Sequence, residues 1–252
     1  MTGRGAPPDH FSAVAGAYAA FRPSYPPELF EYIASIAQRR RRAWDCGAGS
    51  GQATLALAEV FDEVAASDLS GEQIALAPAH PRVGWFVAAA EAAPLADGSI
   101  DLVAVAQALH WFDHARFYDE VRRVAAPGAA IAAWSYGPPT IDGDVGAVLD
   151  RLMFETLRDD WPPGRRFVEQ HYRTIPFPFE PIAAPVLELA REWTVDEVIG
   201  YARSWSATAR YIERVGVDPV EAIEPALRRV WGLPSRRAIT WPLTMLAGRV
   251  TR

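Results

Sequence analysis

The sequence predicts an α/β fold, a doubly wound and mostly parallel sheet of seven strands with helices on both faces. Short, almost continuously apolar runs alternate with amphipathic segments, which is typical of strands that are buried on both faces. A glycine-rich bend, CGAGSG, follows the first of these runs, where a strand has to turn sharply into a helix. The chain has 252 residues and is 50% hydrophobic, so it can bury one large core.

Local patterns predict the elements in order. The predicted strands are 43–46, 63–67, 84–89, 100–106, 129–135, 185–191 and 237–249. Helical spacing of apolar residues predicts helices over 11–21, 27–38, 51–60, 71–77, 114–125, 144–159, 194–208 and 218–231. Prolines open the helix over 27–38, and proline-rich stretches interrupt the chain between 137 and 183.

No linker-like stretch divides the chain, so we expect a single domain over 1–252. Within it, residues 1–42 are predicted to form N-terminal lid helices, and residues 43–137 the cofactor-binding core. Residues 138–252 are predicted to supply the substrate lid helices and the last strands. The second half is therefore expected to form a C-terminal helical lid over the sheet.

Composition removes several function classes. The formal net charge is −6, and no lysine occurs, which excludes Schiff-base chemistry and a phosphate-binding P-loop lysine. The acidic balance argues against nucleic-acid binding, and the basic run Arg39–Arg42 is expected to stabilise the end of a helix. A lone cysteine, no secretion signal and no apolar run of about 20 residues predict a cytoplasmic protein that does not bind membranes.

The bend after the first strand predicts a ligand site. Ligands of open parallel sheets bind beyond the carboxyl ends of the strands, where Gly47, Gly49 and Gly51 let the backbone approach closely. A dinucleotide-binding loop needs a third glycine where this chain has Gln52. Asp45, just before the loop, would repel a pyrophosphate and favour an ammonium group.

S-Adenosylmethionine satisfies these requirements, because it joins a nucleoside to a cationic amino acid without phosphates. Its ribose needs a hydrogen-bond acceptor for two hydroxyls, and Asp68 at the end of the second predicted strand can provide one. We therefore predict S-adenosylmethionine as the cofactor and S-adenosylhomocysteine as its product. A nicotinamide dehydrogenase is an alternative.

Several stretches resemble the class I S-adenosylmethionine-dependent methyltransferases of the type 11 group, nearest the trans-aconitate methyltransferase-like branch. They are YAAFRPSYPPEL (18–29), WDCGAGSGQAT (44–54), and the segments 88–113 and 122–137, with weaker likeness over 191–206. The resemblance covers most of the chain and implies a Rossmann-like, seven-stranded fold.

The resemblance also implies the cofactor contacts. Asp45 and the loop would hold the methionine end, Asp68 and Leu69 the ribose and one adenine face, and Ala90 and Glu91 the adenine edge. Gln107 would line the methionine pocket, and Tyr18 and Arg22 would close over the cofactor unless their loop is a structural clamp. The implied cofactor-binding residues are Tyr18, Arg22, Asp45, Gly47, Ala48, Gly49, Ser50, Gly51, Asp68, Leu69, Ala90, Glu91 and Gln107.

His110 and Trp111 would border the methyl acceptor as catalytic residues. A histidine titrates near neutrality, so His110 is either a general base or a packed ring that shapes the pocket. His110 and His114 are four residues apart, as metal ligands on a helix can be. However, no cysteine or third histidine lies near them in sequence, and a sulfonium needs no Lewis acid, so we predict no metal.

The expected function is methyl transfer to a small molecule, to an oxygen of a carboxylate or hydroxyl. A carboxylic acid would suit Arg203 and Arg210 if one continuous lid helix carries both, whereas a phenol or a quinone-like carbon nucleophile would suit a base at His110. A non-catalytic cofactor-binding regulatory module is a further alternative, and monomer and homodimer both remain open. The aromatic residues Trp161, Trp193, Trp205 and Tyr211 would floor the cavity or fill the core.

Overall fold

A computed structural model describes residues 23–251. Its strands are β1 (Arg42–Cys46), β2 (Glu63–Asp68), β3 (Val83–Val87), β4 (Ile100–Ala106), β5 (Ala125–Tyr136), β6 (Glu180–Pro181), β7 (Leu187–Trp193) and β8 (Arg237–Arg249). They form one sheet in the order β3–β2–β1–β4–β5–β8–β6, and β7 pairs with the first half of β8, away from the end that pairs with β6. The first five strands are parallel, whereas β8 runs antiparallel to β5, β6 and β7.

The helices are α1 (Pro27–Ile36), α2 (Thr54–Val60), α3 (Gly71–Ala75), α4 (His114–Val124), α5 (Asp144–Arg151), α6 (Arg165–Glu169), α7 (Val195–Arg203), α8 (Ser206–Val215) and α9 (Pro219–Trp231). A 3₁₀ turn (Leu109–Trp111) follows β4, and a π-helical turn (Leu152–Thr156) extends α5. The helix predicted over 11–21 lies outside the described residues. Within 23–251, no helix is both long enough and apolar enough to cross a bilayer.

Strand order confirms the doubly wound α/β class. The chain passes from β1 outward through β2 and β3, then returns to the other side of β1 with β4, so the order reverses beside β1. Trp44 and Val103 belong to the buried cluster on one face of the sheet, and Leu102 and Ala104 to the cluster on the other. Burial on both faces explains why these strands read as continuous apolar runs.

The strand count of seven was wrong, because the described residues form eight strands. The extra one is β6, where Glu180 and Pro181 pair with Arg249 and Gly248 at the end of β8. Two residues are too few to show an alternating pattern, so a strand of this length has no sequence signal.

The helix predicted over 194–208 was also wrong. It ends at Arg203 and restarts at Ser206. The hydroxyl group of Ser204 donates to Tyr201 O at 2.7 Å, and that of Thr208 donates to Ala202 O at 2.7 Å. These side chains occupy carbonyls that a continuous helix would use, which favours a break.

The second half of the chain builds its own apolar cluster above the carboxyl edge of the sheet. We call it the lid cluster; it combines α5, the π turn and α7 to α9 with β7 and part of β8, and includes the fully buried Leu152, Leu227 and Trp241. The predicted helix over 144–159 was too long, because the α-helical part ends at Arg151 and the π turn follows. Segment 165–169, for which no element was predicted, forms α6.

The basic run after α1 is used within the fold. Arg40 Nε donates to Ala34 O at 3.1 Å in the last turn of α1, as predicted for a cationic group at a helix end. Arg39 lies 3.3 Å from the carboxylate of Asp101, which also accepts the backbone N–H groups of Arg41 and Arg42. These contacts join the end of α1 to β1 and β4.

Candidate active site

The loops after β1 and β4 meet at one edge of the sheet. The two strands are parallel neighbours, with Asp45 opposite Ala104. Gly47 has a φ of +74°, and a Cβ there would lie 2.5 Å from Cβ of Ala108. The loop after β1 therefore requires glycine both for its backbone conformation and for its contact with the loop after β4.

The glycine loop is tied to the end of β2. The backbone N–H groups of Gly47 and Ala48 both donate to Ser67 O, at 2.8 and 2.9 Å. Gly49 N donates to Asp68 Oδ2 at 2.8 Å, and Ser70 N donates to Asp68 Oδ1 at 2.9 Å. A carboxylate has about four lone-pair sites, so one such group can anchor a loop and also accept ligand hydroxyls.

Asp45 is completely buried at the base of the loop. Its Oδ2 accepts the Thr54 hydroxyl at 2.6 Å, but its Oδ1 has no hydrogen-bond partner among the described residues. Burial raises the pKa of Asp45 to about 7; the hydrogen bond from Thr54 opposes this shift and the charge of Asp68 adds to it. A buried acceptor without a partner fits a cationic donor such as the ammonium group of S-adenosylmethionine.

The remaining predicted cofactor residues surround the same edge. Ala48, Ser50 and Ala90 are buried, whereas Leu69 is 51% exposed directly after Asp68 and can pack against a flat base. Glu91, in the loop after β3, accepts the backbone N–H of Asp113 at 2.9 Å. Tyr18 and Arg22 lie outside the described residues, and the ligand roles assigned to all these residues stay predictions.

Gln107 joins this edge to a second space. It follows β4 with a φ of +56°, and its backbone N–H donates to Trp134 O at 2.8 Å. Its side chain donates to Tyr136 O at 3.3 Å and lines a cavity under the lid cluster. Left-handed backbone at a residue other than glycine is costly and often marks a functional site.

The cavity opens to solvent, and the space in it and at its mouth is about 700 Å³. Its walls combine aromatic side chains and prolines with one guanidinium and one imidazole, and include His110, Trp111, Tyr136, Trp161, Arg165 and Trp205. Both predicted catalytic residues, His110 and Trp111, therefore line a concave site next to Gln107. Such a cavity suits a small organic molecule.

His110 is held tightly at the wall of this cavity. Its Nδ1 lies 3.0 Å from the hydroxyl oxygen of Tyr172, and its ring centroid lies 4.8 Å from that of Trp111. Burial, assisted by the neighbouring Arg165 and His114, lowers the pKa of His110 to about 3. The imidazole is therefore neutral at physiological pH.

Comparisons with known proteins show which family the chain belongs to. A family model described as a methyltransferase domain matches residues 44–133. A Dictyostelium discoideum protein provisionally named a methyltransferase is 35% identical over 88% of this chain and 86% of its own length. An uncharacterized methyltransferase of Mycobacterium tuberculosis is 32% identical over 96% of this chain and 95% of its own length.

A solved structure adds the fold. It is a protein of Anaeromyxobacter dehalogenans provisionally described as a type II methyltransferase. The two chains are 49% identical and superpose with a TM-score of 0.83, which covers 91% of this chain and 98% of the other. The chain belongs to the class I S-adenosylmethionine-dependent methyltransferases. This methyltransferase uses S-adenosylmethionine as its cofactor. None of these relatives bears on the trans-aconitate branch, which stays a prediction.

The methyltransferase carries an arginine in its cavity that the sequence analysis missed. The guanidinium carbon of Arg165 lies 3.5 Å from the ring centroid of Trp161, its Nε donates to Glu169 at 2.9 Å, and its Nη2 lies 3.2 Å from Met153 Sδ. Trp161 Nε1 in turn donates to Met153 O at 2.9 Å, within the π turn. The WPPG stretch before Arg165 was the sequence feature that could have indicated this position, because its two prolines restrict the backbone just before Arg165.

The lid arginines proposed for acceptor binding lie elsewhere. Arg203 pairs with Asp218 at 2.8 Å and with Glu224 at 3.1 Å, and it does not line the cavity. Arg210 does not line it either, and the break after α7 separates the two residues. All four aromatic residues considered belong to the lid cluster or pack against it, and Trp161 and Trp205 also line the cavity.

The two histidines considered as a metal pair face different partners. His110 Nδ1 contacts Tyr172, whereas His114 Nε2 lies 3.0 Å from Leu109 O. Over residues 23–251, no group of three histidine, cysteine, aspartate or glutamate residues is arranged to hold a metal ion.

Proposed function

We propose that this methyltransferase transfers the methyl group of S-adenosylmethionine to a carboxylate oxygen of a small organic acid, giving a methyl ester and S-adenosylhomocysteine. The observation that carries this proposal is Arg165, whose guanidinium lines an aromatic cavity beside the end of β4. A guanidinium matches the geometry of a carboxylate, and the aromatic walls match an apolar carbon skeleton.

We infer the cofactor contacts from the edge formed by β1, β2 and β3. Asp45 Oδ1 accepts the ammonium group, Asp68 accepts the ribose hydroxyls, and the loop over 47–51 lets the methionine end approach the backbone. Leu69, Ala90 and Glu91 border the adenine. When bound, the cofactor supplies an activated methyl group on its sulfonium, and the protein aligns the acceptor with it. Alignment alone can contribute about 7–11 kcal/mol in favourable cases.

The charge state of the acceptor favours a carboxylate over a hydroxyl. A carboxylic acid has a pKa of about 4 and is already a nucleophile at pH 7 without a base. A phenol has a pKa of about 10, and a proton transfer from it to His110, whose pKa is about 3, is uphill by about 10 kcal/mol. His110 is therefore a poor base, and the same reasoning disfavours a carbon nucleophile that has to lose a proton.

A matched pair of arginine variants tests the acceptor class. The first step is to screen aromatic and aliphatic acids, with their alcohol and amide analogues, for release of S-adenosylhomocysteine. With the best acid, Arg165→Gln is expected to raise KM about tenfold to a hundredfold, since a hydrogen bond to a charged group contributes about 1.5–3 kcal/mol. Arg166→Gln is the control, because Arg166 is exposed and does not line the cavity.

The product shows which atom is methylated. A methyl ester is cleaved by mild alkali, whereas a methyl ether or a C-methyl product is not. Turnover of alcohols in preference to acids, an alkali-resistant product, or equal effects of the Arg165 and Arg166 variants would each contradict a carboxylate acceptor.

A further inference from the structure

Resting on the proposed carboxylate acceptor, we propose that Tyr172 is a positioning residue that fixes His110 as the tautomer with its hydrogen on Nε2. His110 then acts as a hydrogen-bond donor to the acceptor carboxylate. Tyr172 touches neither substrate nor cofactor in this proposal, and it acts only through the imidazole ring.

The contact between the two side chains is specific. Tyr172 is completely buried, and its hydroxyl oxygen lies 3.0 Å from His110 Nδ1. His110 Nε2 has no hydrogen-bond partner among the described residues, and the residue lines the cavity. With Nδ1 engaged inside the fold, Nε2 is the ring nitrogen left for a ligand.

The chemistry of the two groups sets the direction of this hydrogen bond. A phenol, with a pKa of about 10, is a stronger acid than a neutral imidazole N–H, and an imidazole nitrogen is a stronger base than a phenolic oxygen. Tyr172 therefore donates to Nδ1. A neutral imidazole carries one hydrogen, which must then be on Nε2.

The surroundings of the pair support this assignment. Burial raises the pKa of Tyr172, and the nearby side chain of Ser135 and backbone N–H of His110 only partly oppose this shift. A buried phenol whose pKa is raised keeps its hydrogen at neutral pH and can donate it to His110 Nδ1. Arg165 and His114 are the charged or titratable groups that act on His110, and both disfavour the imidazolium.

Backbone strain marks the turn that carries Tyr172. His171 and Tyr172 have φ values of +53° and +55°, in the left-handed region that residues other than glycine rarely adopt. The burial of Tyr172 and the contact of His171 Nδ1 with Thr244 Oγ1 at 3.1 Å hold the turn in place. Strain of this kind persists where the surrounding structure fixes it, often at functional sites.

Two donors then face the acceptor space, the Nε2–H of His110 and the guanidinium of Arg165. A carboxylate can accept from both and keep an oxygen lone pair for the methyl group. The site so described orients an anion and needs no residue that removes a proton.

Nitrogen NMR of the full-length protein tests the tautomer directly. In ¹⁵N-histidine-labelled protein at pH 7, with the signal assigned through His110→Gln, we expect Nε2 to be protonated and Nδ1 to be unprotonated. Tyr172→Phe is expected to give a mixture of tautomers and to raise KM for the acid about tenfold with little change in affinity for S-adenosylhomocysteine. Tyr118→Phe is the control, since it removes another buried hydroxyl, one without a partner.

A hydrogen on Nδ1, or a charged ring at pH 7, in the unmodified protein would overturn the proposal without any variant. An unchanged tautomer in a folded Tyr172→Phe protein would also overturn it. If Nε2 is protonated but no acid is methylated, the proposed acceptor fails while the assignment of the tautomer stands.

Discussion

The proposed contact between Asp45 and the ammonium group predicts that cofactor binding depends on pH. Its pKa of about 7 leaves it mostly protonated at pH 6 and mostly ionised at pH 8. An ammonium group binds the ionised form, so affinity for S-adenosylhomocysteine is expected to rise about tenfold over this range. Calorimetric titration at both pH values measures it, with Asp45→Asn as the variant that should show weak and nearly constant affinity. A flat profile in the unmodified protein would contradict the role of Asp45.

The same burial predicts that Asp45 destabilises the cofactor-free protein at high pH. Its folded pKa is raised from 3.8 to about 7, so the protonated form is favoured by folding, and stability is lost as pH rises from about 4 through 7. Asp45→Asn should therefore raise the free energy of unfolding at pH 8, with an upper bound of about 4 kcal/mol, and should have little effect at pH 4. Urea unfolding without cofactor measures the difference. A variant less stable than the unmodified protein at pH 8 would show that the Thr54 hydrogen bond outweighs desolvation.

The loop after β1 offers a comparison between two of its glycines. Gly47→Ala and Gly49→Ala both place a methyl group at positive φ, which costs about 1–2 kcal/mol. At Gly47 the new Cβ would also lie 2.5 Å from Ala108, whereas at Gly49 its nearest neighbour is 3.6 Å away. We therefore expect Gly47→Ala to reduce both thermal stability and cofactor affinity more than Gly49→Ala. Equal losses would mean that the contact between the β1 and β4 loops is unimportant.

The elements that were predicted accurately are those whose buried positions follow from the order of apolar and polar residues within the element. Strand β4 and the long β8 match their predicted bounds, because a continuous apolar run and a regular alternation are local signals. The break between α7 and α8 was missed, since hydroxyl groups of Ser204 and Thr208 compete for helix carbonyls in a way that apolar spacing does not show. The π turn after α5 was also missed, because its apolar residues keep the spacing of an α-helix.

Sheet and lid are expected to unfold together. Strand β8 pairs with β5 in the sheet and with β7 beside the lid cluster, so it belongs to both parts. Leu152→Ala in the lid cluster should cost about 2–5 kcal/mol and lower one common melting temperature by roughly 5–15 °C. Differential scanning calorimetry measures it. Two separate transitions would show that the lid unfolds alone.

The sequence by itself determined which residues meet at the edge of the sheet predicted to bind the cofactor. The acid, the glycine loop and the second acid lie at the ends of adjacent strands, and parallel pairing of β1, β2 and β4 brings such positions to one edge. Local pattern and strand pairing suffice to place Asp45, Gly47 and Asp68 at one edge of the sheet, whereas their contacts with the cofactor stay predictions.

Only the tertiary structure decided which side chains line the cavity under the lid cluster. Tyr172 reaches His110 across 62 positions of the chain, and Arg165 enters the cavity from a short helix that no pattern predicted. Conversely, Arg203 looked suitable in sequence but pairs with acidic residues of the lid. The position of each of these side chains depends on how the lid packs on the sheet, and packing is a sum of long-range contacts that local periodicity does not encode.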